Sequence, residues 1–355
     1  MIDIATEHGL IDIKKRMDSR DVHPEAVFSH KIVRADVLAE ALMRIGEYVA
    51  ENGMEGEGPF QAARDLLLRR RPRGVQSLTA RQDETTLDVA KRVINEMGPG
   101  VLPIQGPPGA GKTYTGSRMI CELVRQGKTV GITANSHKVI RNLLDGVVKA
   151  SHEDGNNLQC IQKEKEVEED SDRLTFTKSN DDLLGALGSS AQVGGATAWF
   201  WSREDAQGSV DVLIVDEAAQ MSLANVLAIS GAAKTLVLLG DPQQLDQPIQ
   251  GSHPDGTDIS ALAHLLRGEE TIKEDQGLFL EETLRLHPSI CTFTSDLFYA
   301  GKLEAREHNA RQAVHTNTPV NGAGLWYLPV DHQGNINSSI EEVRAIETLV
   351  ASLLE

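Results

Sequence analysis

Residues 101–113 read Val-Leu-Pro-Ile-Gln-Gly-Pro-Pro-Gly-Ala-Gly-Lys-Thr, and this stretch decides the fold. Its apolar start predicts a buried strand, and residues 106–113 match the pattern Gly-x-x-x-x-Gly-Lys-Ser/Thr, whose glycines let successive backbone N–H groups face a phosphate chain. A helix beginning near Lys112 would add the positive end of its dipole. We expect Lys112 to reach the β- and γ-phosphates and Thr113 to bind Mg²⁺. The residues predicted to hold the nucleotide here are Gly106, Pro107, Pro108, Gly109, Ala110, Gly111, Lys112, Thr113 and Tyr114.

A second motif is acidic and lies at the end of another apolar run, Asp-Val-Leu-Ile-Val-Asp at 211–216. An acidic residue that ends a buried strand beside a phosphate loop can hold Mg²⁺, which is the role predicted for Asp216. Glu217 is then placed to orient and deprotonate an attacking water. An Asp-Glu pair after a strand is by itself more often an ordinary helix start, so the prediction depends on the phosphate loop upstream.

A third block, Gly-Asp-Pro-Gln-Gln-Leu at 240–245, also follows an apolar run. Gln244 could hydrogen-bond the γ-phosphate and report its loss, whereas alone the block would be an ordinary Asp-Pro turn. The base-selecting Asn/Thr-Lys-x-Asp of GTP-binding proteins has only a near match at 177–180, Thr-Lys-Ser-Asn, which lacks the final aspartate. ATP is therefore the expected nucleotide.

Short apolar runs alternate with helical patterns from about residue 78 onward. The runs at 101–105, 129–133, 211–216 and 235–240 are continuous, as in strands that are covered on both faces. Strands that alternate with helices favour a parallel sheet with right-handed crossovers. The fold class predicted is α/β, with a parallel sheet and helices on both faces.

Three regions are predicted along the chain: a helical N-terminal or linker region at 1–75, an ATPase domain at 76–280, and the start of a further domain at 281–355. The polar, acidic stretch 151–185 is predicted to be a surface insertion or mobile loop. Residues 325–330, Leu-Trp-Tyr-Leu-Pro-Val, predict a strand. Residues 338–355 predict an amphipathic helix with Ser338 or Ser339 as its N-cap.

The formal charge of the 355 residues is −17, so any polyanionic partner must bind a local patch rather than the whole surface. Three widely spaced cysteines suggest neither a zinc site nor an iron–sulfur cluster. No apolar run approaches the roughly 20 residues of a membrane span, so no membrane partner is expected. A cytoplasmic protein is the default prediction.

In order, the segments Arg-Gln-Asp-Glu-Thr-Thr at 81–86, the phosphate loop, Thr-Ala-Asn-Ser-His-Lys at 133–138, Val-Asp-Glu-Ala-Ala-Gln at 215–220, the 240–245 block, and Leu-Arg-Leu-His-Pro at 284–288 resemble a superfamily 1 helicase. The resemblance is nearest to the subgroup of the nonsense-mediated-decay helicase and the Okazaki-fragment nuclease-helicase, and it spans roughly residues 78–355. It implies a RecA-like, P-loop ATPase domain that couples ATP hydrolysis to movement on nucleic acid. A weaker resemblance of 1–75, to the linker in a bacterial nuclease–helicase fusion, suggests a fused or associated nuclease as partner.

The resemblance adds roles that the residues alone do not give. Gln82 matches the glutamine that reads the adenine edge, and Arg285 matches an arginine finger, which stabilises charge on the transferred phosphoryl group. Leu284 replaces the family's aromatic residue, which puts base stacking from that side in question. Phosphates of a single strand would be held at Asn135, Ser136, His137, Lys138 and Thr197. Trp199 and Trp201 are candidates for base stacking, although core packing is expected for at least one of them.

A motor of this family closes two RecA-like domains on ATP, and the resemblance implies that most of the second domain would follow residue 355. The expected partner is a single strand of DNA, less readily RNA. Two alternatives stay open: a P-loop ATPase that switches conformation without translocation, and a nucleic-acid-binding module without turnover.

Overall fold

The computed structural model describes residues 3–5, 10–12, 17, 20–21, 34–164, 171–245, 256–316, 318 and 320–354. The chain divides into two compact units, Met1–Ala35 and Asp36–Glu355. In the first unit, strand β1 (Asp3–Ala5) pairs antiparallel with strand β2 (Leu10–Asp12). These described residues are strands, whereas the sequence predicted a helical region.

The helices of the second unit are α1 (Asp36–Asn52), α2 (Gln61–Leu68), α3 (Thr86–Glu96), α4 (Lys112–Arg125), α5 (His137–Glu153), α6 (Asn180–Ala186), α7 (Ala198–Trp201), α8 (Leu223–Ile229), α9 (Ala261–Leu266), α10 (Pro288–Phe298) and α11 (Ile340–Leu354). The strands are β3 (Gly100–Gln105), β4 (Val130–Thr133), β5 (Cys160–Lys163), β6 (Leu174–Thr177), β7 (Val193–Gly195), β8 (Val210–Val215), β9 (Ala233–Gly240), β10 (Leu278–Phe279), β11 (Glu282–Thr283) and β12 (Glu304–Ala305).

Eight of these strands form one parallel sheet, in the order β10-β3-β9-β8-β4-β7-β5-β6. Strand β3 is buried along its whole length, as expected of a strand covered on both faces. Because all eight strands run the same way, the turns that follow them lie along one side, here called the carboxyl edge. The predicted α/β fold with a parallel sheet is confirmed.

Two apolar cores lie on opposite faces of the sheet, because successive side chains of a strand point in opposite directions. In β8, Leu213 and Val215 belong to one core, while Val212 and Ile214 belong to the other. Helices α1, α2, α8 and α9 contribute to the first core, and α3, α4 and α5 contribute to the second. Helices therefore cover both faces, as predicted.

Helices α1 and α2 were expected to belong to a separate N-terminal region, but they pack against the sheet. Leu38 and Ala41 of α1 and Leu66 of α2 are buried in the same core as Leu213 of β8. The compact unit therefore begins at Asp36 rather than at the predicted border after residue 75, and it runs past the predicted border at 280. Apolar spacing predicts a helix, but it does not say which surface the helix will cover.

The prediction of a surface insertion or mobile loop at 151–185 is wrong for the residues described there. Strand β5 pairs with β7 and β6, so this segment extends the main sheet by two strands. Cys160 and Leu174 are buried in the core. The acidic run masked the strands because its charges outweigh two short apolar segments; residues 165–170, the middle of that run, lie outside the described part of the chain.

The strand predicted at 325–330 is also absent from the structure. These residues pair with no strand in the described chain, and Tyr327 is 90% exposed. Strand character depends on a hydrogen-bonding neighbour, so an apolar run alone does not form one. The helix predicted at 338–355 is confirmed as α11, where Glu342 N donates to the N-cap Ser339 Oγ (3.2 Å). None of its residues is buried.

Candidate nucleotide and nucleic-acid sites

The phosphate loop lies between β3 and α4 at the carboxyl edge. Gly109 and Gly111 have φ of +76° and +83°, a left-handed conformation that a residue with a Cβ rarely adopts. At Gly106 a Cβ would lie 2.4 Å from Lys112 Cγ, so the lysine stem packs directly on this glycine. Lys112 Nζ donates to the Gly106 carbonyl oxygen (2.7 Å). The loop thus curls around its own lysine.

The loop borders a cavity of about 720 Å³ that brings together residues from distant parts of the sequence. Its lining comprises Pro107, Pro108, Gly109, Ala110, Gly111, Lys112, Thr113, Tyr114, Glu217, Gln244, Leu284, Arg285 and Gln312. Of the nucleotide-site residues predicted from the sequence, all but Gly106, Gln82 and Asp216 line it. Gly106 lies directly beneath Lys112. Gln312 was not predicted.

Segment 283–285 packs directly against the loop, and its residues Leu284 and Arg285 line the cavity beside it. Leu284 N donates to the Gly109 carbonyl oxygen (2.9 Å), and Thr283 Oγ1 donates to the Pro108 carbonyl oxygen (2.9 Å). A Cβ at Gly109 would lie 2.4 Å from Arg285 Cβ, so the close approach requires glycine there. Arg285 therefore lies against the loop, as its predicted role requires.

Tyr114 is 51% exposed at the rim of the same cavity. The Arg118 guanidinium lies over its ring, 3.5 Å from the centroid, and fixes the ring by a cation–π contact. Leu284 is also exposed and lines the cavity. The cavity thus has an aromatic surface at Tyr114 and an aliphatic surface at Leu284, the position where the helicases that the sequence resembles have an aromatic residue.

Asp216 and Glu217 directly follow β8, the strand that pairs with β9. Asp216 is buried, and burial together with the charge of Glu217 raises the pKa of its carboxyl to about 6. Its Oδ1 accepts from Glu217 N (3.0 Å). Glu217 has φ of +51°, which costs on the order of 1–3 kcal/mol for a residue other than glycine and points to a functional constraint. The strained backbone directs Glu217 to the cavity wall.

The donor set fits a magnesium ion. Asp216 offers a buried carboxylate that forms no ion pair with any described residue, and the Thr113 side chain is exposed at the loop. In the described parts of the chain, no group of three or more His, Cys, Asp or Glu residues could hold a metal alone. Mg²⁺ is usually held by one or two protein oxygens together with substrate phosphates and waters, which matches this sparse set.

Gln244 is tied to a buried pair that sequence reasoning missed. Its Nε2 donates to Asp241 Oδ2 (3.0 Å), and the same oxygen accepts from the Tyr299 hydroxyl (2.7 Å). Asp241 and Tyr299 are both buried, and burial with the Asp241 contact raises the pKa of Tyr299. Asp241 ends an apolar strand inside the block already singled out, which was the available signal. Its partner 58 residues away carried none.

Gln82 is not brought to the cavity lining. It lies in the turn before α3, is exposed, and is absent from the residues around the loop. Its neighbour Glu84 instead pairs with Arg92 (2.7 Å), which holds the pKa of that carboxyl well below its ordinary value. The adenine role of Gln82 stays a prediction.

The residues predicted to grip a nucleic-acid strand cluster at the ends of two neighbouring strands. Asn135, Ser136, His137 and Lys138 follow β4, and Thr197 follows β7, which pairs with β4. Ser136 caps α5 by accepting from Val139 N (3.2 Å). Asn135 Nδ2 donates to the Gln220 carbonyl oxygen (2.5 Å), so this turn is bonded to the loop that carries Glu217.

The two tryptophans separate as expected. Trp201 is buried, and its Nε1 donates to the Ile132 and Ala196 carbonyl oxygens (3.1 and 3.0 Å), which makes it a core residue. Trp199 is 44% exposed in α7, next to Thr197. Of these two tryptophans, only Trp199 has a surface that a base could contact.

No helix within the described residues is long and apolar enough to cross a bilayer.

A family model described as an AAA domain matches residues 82–267, just over half of the chain. The chain therefore belongs to this family of AAA domains. It is 30% identical over 221 residues to the DNA replication ATP-dependent helicase/nuclease DNA2 of Gallus gallus, covering 59% of this chain and 21% of the relative. It is 35% identical over 94 residues to the 5'-3' DNA helicase ZGRF1 of Mus musculus, covering 26% of this chain and 5% of the relative.

These relatives bear out the resemblance to superfamily 1 helicases. The chain spans about a fifth or less of their length. Among solved structures, the complex of arterivirus nonstructural protein 10 (helicase) with DNA is similar at 15% sequence identity, with a TM-score of 0.39. The match covers 58% of this chain and 41% of the arterivirus chain. Pif1 helicase from Candida albicans overlaps 58% and 41% at 17% identity, with a TM-score of 0.28.

Proposed function

We propose that this chain is the ATPase segment of a helicase motor, which binds MgATP in the phosphate-loop cavity and single-stranded DNA across the ends of β4 and β7. In this proposal Lys112 holds the β- and γ-phosphates, and Thr113 and Asp216 hold the magnesium ion. Glu217 activates the attacking water, and Gln244 and Arg285 contact the γ-phosphate.

The observation that supports coupling is the direct bond between the two sites. Asn135, in the turn after β4, donates to Gln220, which lies three residues beyond Glu217 on the turn after β8. A change at the catalytic turn when the γ-phosphate leaves would therefore shift the turn that holds the nucleic acid. In this proposal the bond is the direct path by which such a change passes between the two sites.

The names of two relatives support DNA as the substrate class. Two of the relatives carry DNA in their names, as a DNA replication helicase/nuclease and a DNA helicase. Because the net charge is acidic, a nucleic-acid strand would bind only at a local site. There the N-terminus of α5, Ser136 and Thr197 would contact strand phosphates. A nuclease partner is proposed by the same likeness.

The test is ATP turnover of the full chain with and without saturating single-stranded oligodeoxynucleotide and oligoribonucleotide, with Lys112→Ala as control. We expect the DNA strand to raise turnover several-fold, the RNA strand to raise it less, and Lys112→Ala to abolish both. Turnover that depends on Lys112 but ignores both strands would replace the motor with a nucleotide switch. Strand binding without any Lys112-dependent turnover would indicate a binding module.

A further inference from the structure

The segment that carries Arg285 is joined to the phosphate loop by one backbone hydrogen bond, from Leu284 N to the Gly109 carbonyl oxygen (2.9 Å), and by one side-chain hydroxyl group. Thr283 is completely buried, and its Oγ1 donates to the Pro108 carbonyl oxygen (2.9 Å) while accepting from Arg285 N (3.2 Å) and Leu286 N (3.4 Å). A hydroxyl can donate once and accept twice, so all its hydrogen-bonding capacity is used. Among natural side chains of this size, only threonine and serine could make this set of bonds.

Other bonds hold the rest of the same turn. Asn309 Nδ2 donates to the Thr283 and Leu286 carbonyl oxygens (both 2.9 Å), and Gln312 Nε2 donates to the Arg285 carbonyl oxygen (3.0 Å). The backbone around Arg285 is thus fixed on both sides, while the Arg285 side chain is exposed to the cavity and forms no ion pair with a described residue. A fixed backbone carrying an unpaired guanidinium is arranged to act on something that enters the cavity.

We propose that Thr283 is the positioning residue for Arg285, which holds the guanidinium in register with the phosphate loop so that it distinguishes a triphosphate from a diphosphate. This inference rests on the proposed function, in which Arg285 contacts the γ-phosphate. Thr283 and Leu284 are bonded to the loop backbone at Pro108 and Gly109. The same loop would hold the γ-phosphate, so the position of the guanidinium relative to that phosphate would be fixed. Without the hydroxyl, the bond from Leu284 N to the Gly109 carbonyl oxygen would remain, but Arg285 N and Leu286 N would lose their acceptor, so the turn that carries the guanidinium would be less firmly held against the loop.

The experiment measures the dissociation constants of ATP and ADP for the full chain, since binding does not require turnover. Thr283→Val keeps the shape and removes all three bonds, and we expect the preference for ATP over ADP to fall about tenfold, with ADP affinity unchanged. Thr283→Ser keeps the hydroxyl and should restore the preference. Arg285→Ala should lower it as far, and the double variant Thr283→Val, Arg285→Ala should lower it no further.

Unchanged preference in Thr283→Val, beside a loss in Arg285→Ala, overturns the positioning role alone. A further loss in the double variant also overturns it, because Thr283 would then act independently of Arg285. An unchanged preference in Arg285→Ala overturns the finger role as well. If Thr283→Val does not fold, Thr283→Ala, which removes the same three bonds with a smaller side chain, replaces it. It should lower the preference as far, and no change would contradict the proposal.

Discussion

The two halves of the carboxyl edge hold their polar groups differently. At the ends of β3 and β9, Lys112 and Gln244 are hydrogen-bonded to Gly106 and Asp241, and Thr283 of β11 is bonded to Pro108 of the phosphate loop. At the ends of β4 and β7, Asn135 is bonded to the turn after β8, but Ser136 makes only a helix cap and Thr197 makes no side-chain cap bond. The nucleotide half is thus assembled in advance, whereas the strand half offers a helix N-terminus and small polar groups.

Under the proposed function, the difference follows from what each half would hold. Transfer of a phosphoryl group requires donors and a base at fixed positions, because catalysis depends on groups arranged before the reaction. A nucleic-acid backbone repeats its phosphates, so contacts that position it need less exact placement. We therefore expect single substitutions to cost much more in the first half than in the second.

The largest expected effect is that of Glu217→Gln in the nucleotide half. Loss of the general base should lower any strand-stimulated ATP turnover by about 10²- to 10⁴-fold, while the dissociation constant of ATP changes little. Steady-state turnover and equilibrium binding measure the two quantities. A large loss of ATP binding instead would mean that Glu217 supports the fold of the cavity rather than the chemistry.

The next effect tests the strand half. Ser136→Ala combined with Thr197→Val should weaken binding of single-stranded DNA about tenfold, since each lost phosphate contact is worth about 1 kcal/mol or less. ATP affinity should stay the same. Fluorescence anisotropy of a labelled oligonucleotide measures the change. Ser260→Ala, which removes the cap that accepts from Ala263 N (3.2 Å) on α9, is the matched control for the loss of a helix cap.

A smaller effect is expected at the rim of the nucleotide half, where Tyr114 lies beneath Arg118. If its ring contacts the base, Tyr114→Ala should weaken ATP binding about three- to tenfold, in line with the stacking energy of aromatic groups. Tyr114→Phe should bind as well as the native chain. Inorganic tripolyphosphate has no base, so its affinity should be unchanged. An equal loss for tripolyphosphate would instead indicate damage to the phosphate loop.

The smallest effect concerns a residue outside both halves. His264 Nε2 lies 3.3 Å from the Leu67 carbonyl oxygen, and its Nδ1 lies 3.2 Å from Arg69 Nη2, which fits a neutral ring protonated on Nε2. Burial and Arg69 lower the pKa of His264. The folded state therefore favours neutral histidine, so the related stability is present above about pH 6.5 and is lost as the pH falls through the lowered pKa.

The free energy of unfolding of the native chain should fall between pH 7.5 and pH 5, and it should fall less in His264→Gln. The difference should be about 1.4 kcal/mol for each tenfold difference in the proton affinity of His264 between the unfolded and folded states. Urea unfolding at the two pH values measures it, and His308→Gln, an exposed residue, is the control. Equal acid sensitivity of both variants and the native chain would place the pH dependence at other groups, such as those of the carboxyl edge.

Sequence reasoning predicted where residues lie in the fold when the signal was local. The phosphate loop, the pair Asp216 and Glu217, and Gln244 each follow an apolar run, and a parallel sheet brings the ends of such runs to one edge. It was wrong about 151–185, where charge concealed β5 and β6, and about 325–330, where apolar character had no neighbouring strand. Gln82, matched from the family pattern alone, lies outside the cavity lining.

The sequence by itself determined the cradle for the phosphates, because the glycines and Lys112 act within eight residues and need only a strand before them and a helix after them. The tertiary structure decided what faces that cradle. Thr283 and Arg285 lie some 170 residues further along the chain, and the Asp241–Tyr299 bond joins residues 58 apart. Such contacts arise from the packing of the whole sheet and its helices, and no local pattern of side chains encodes them.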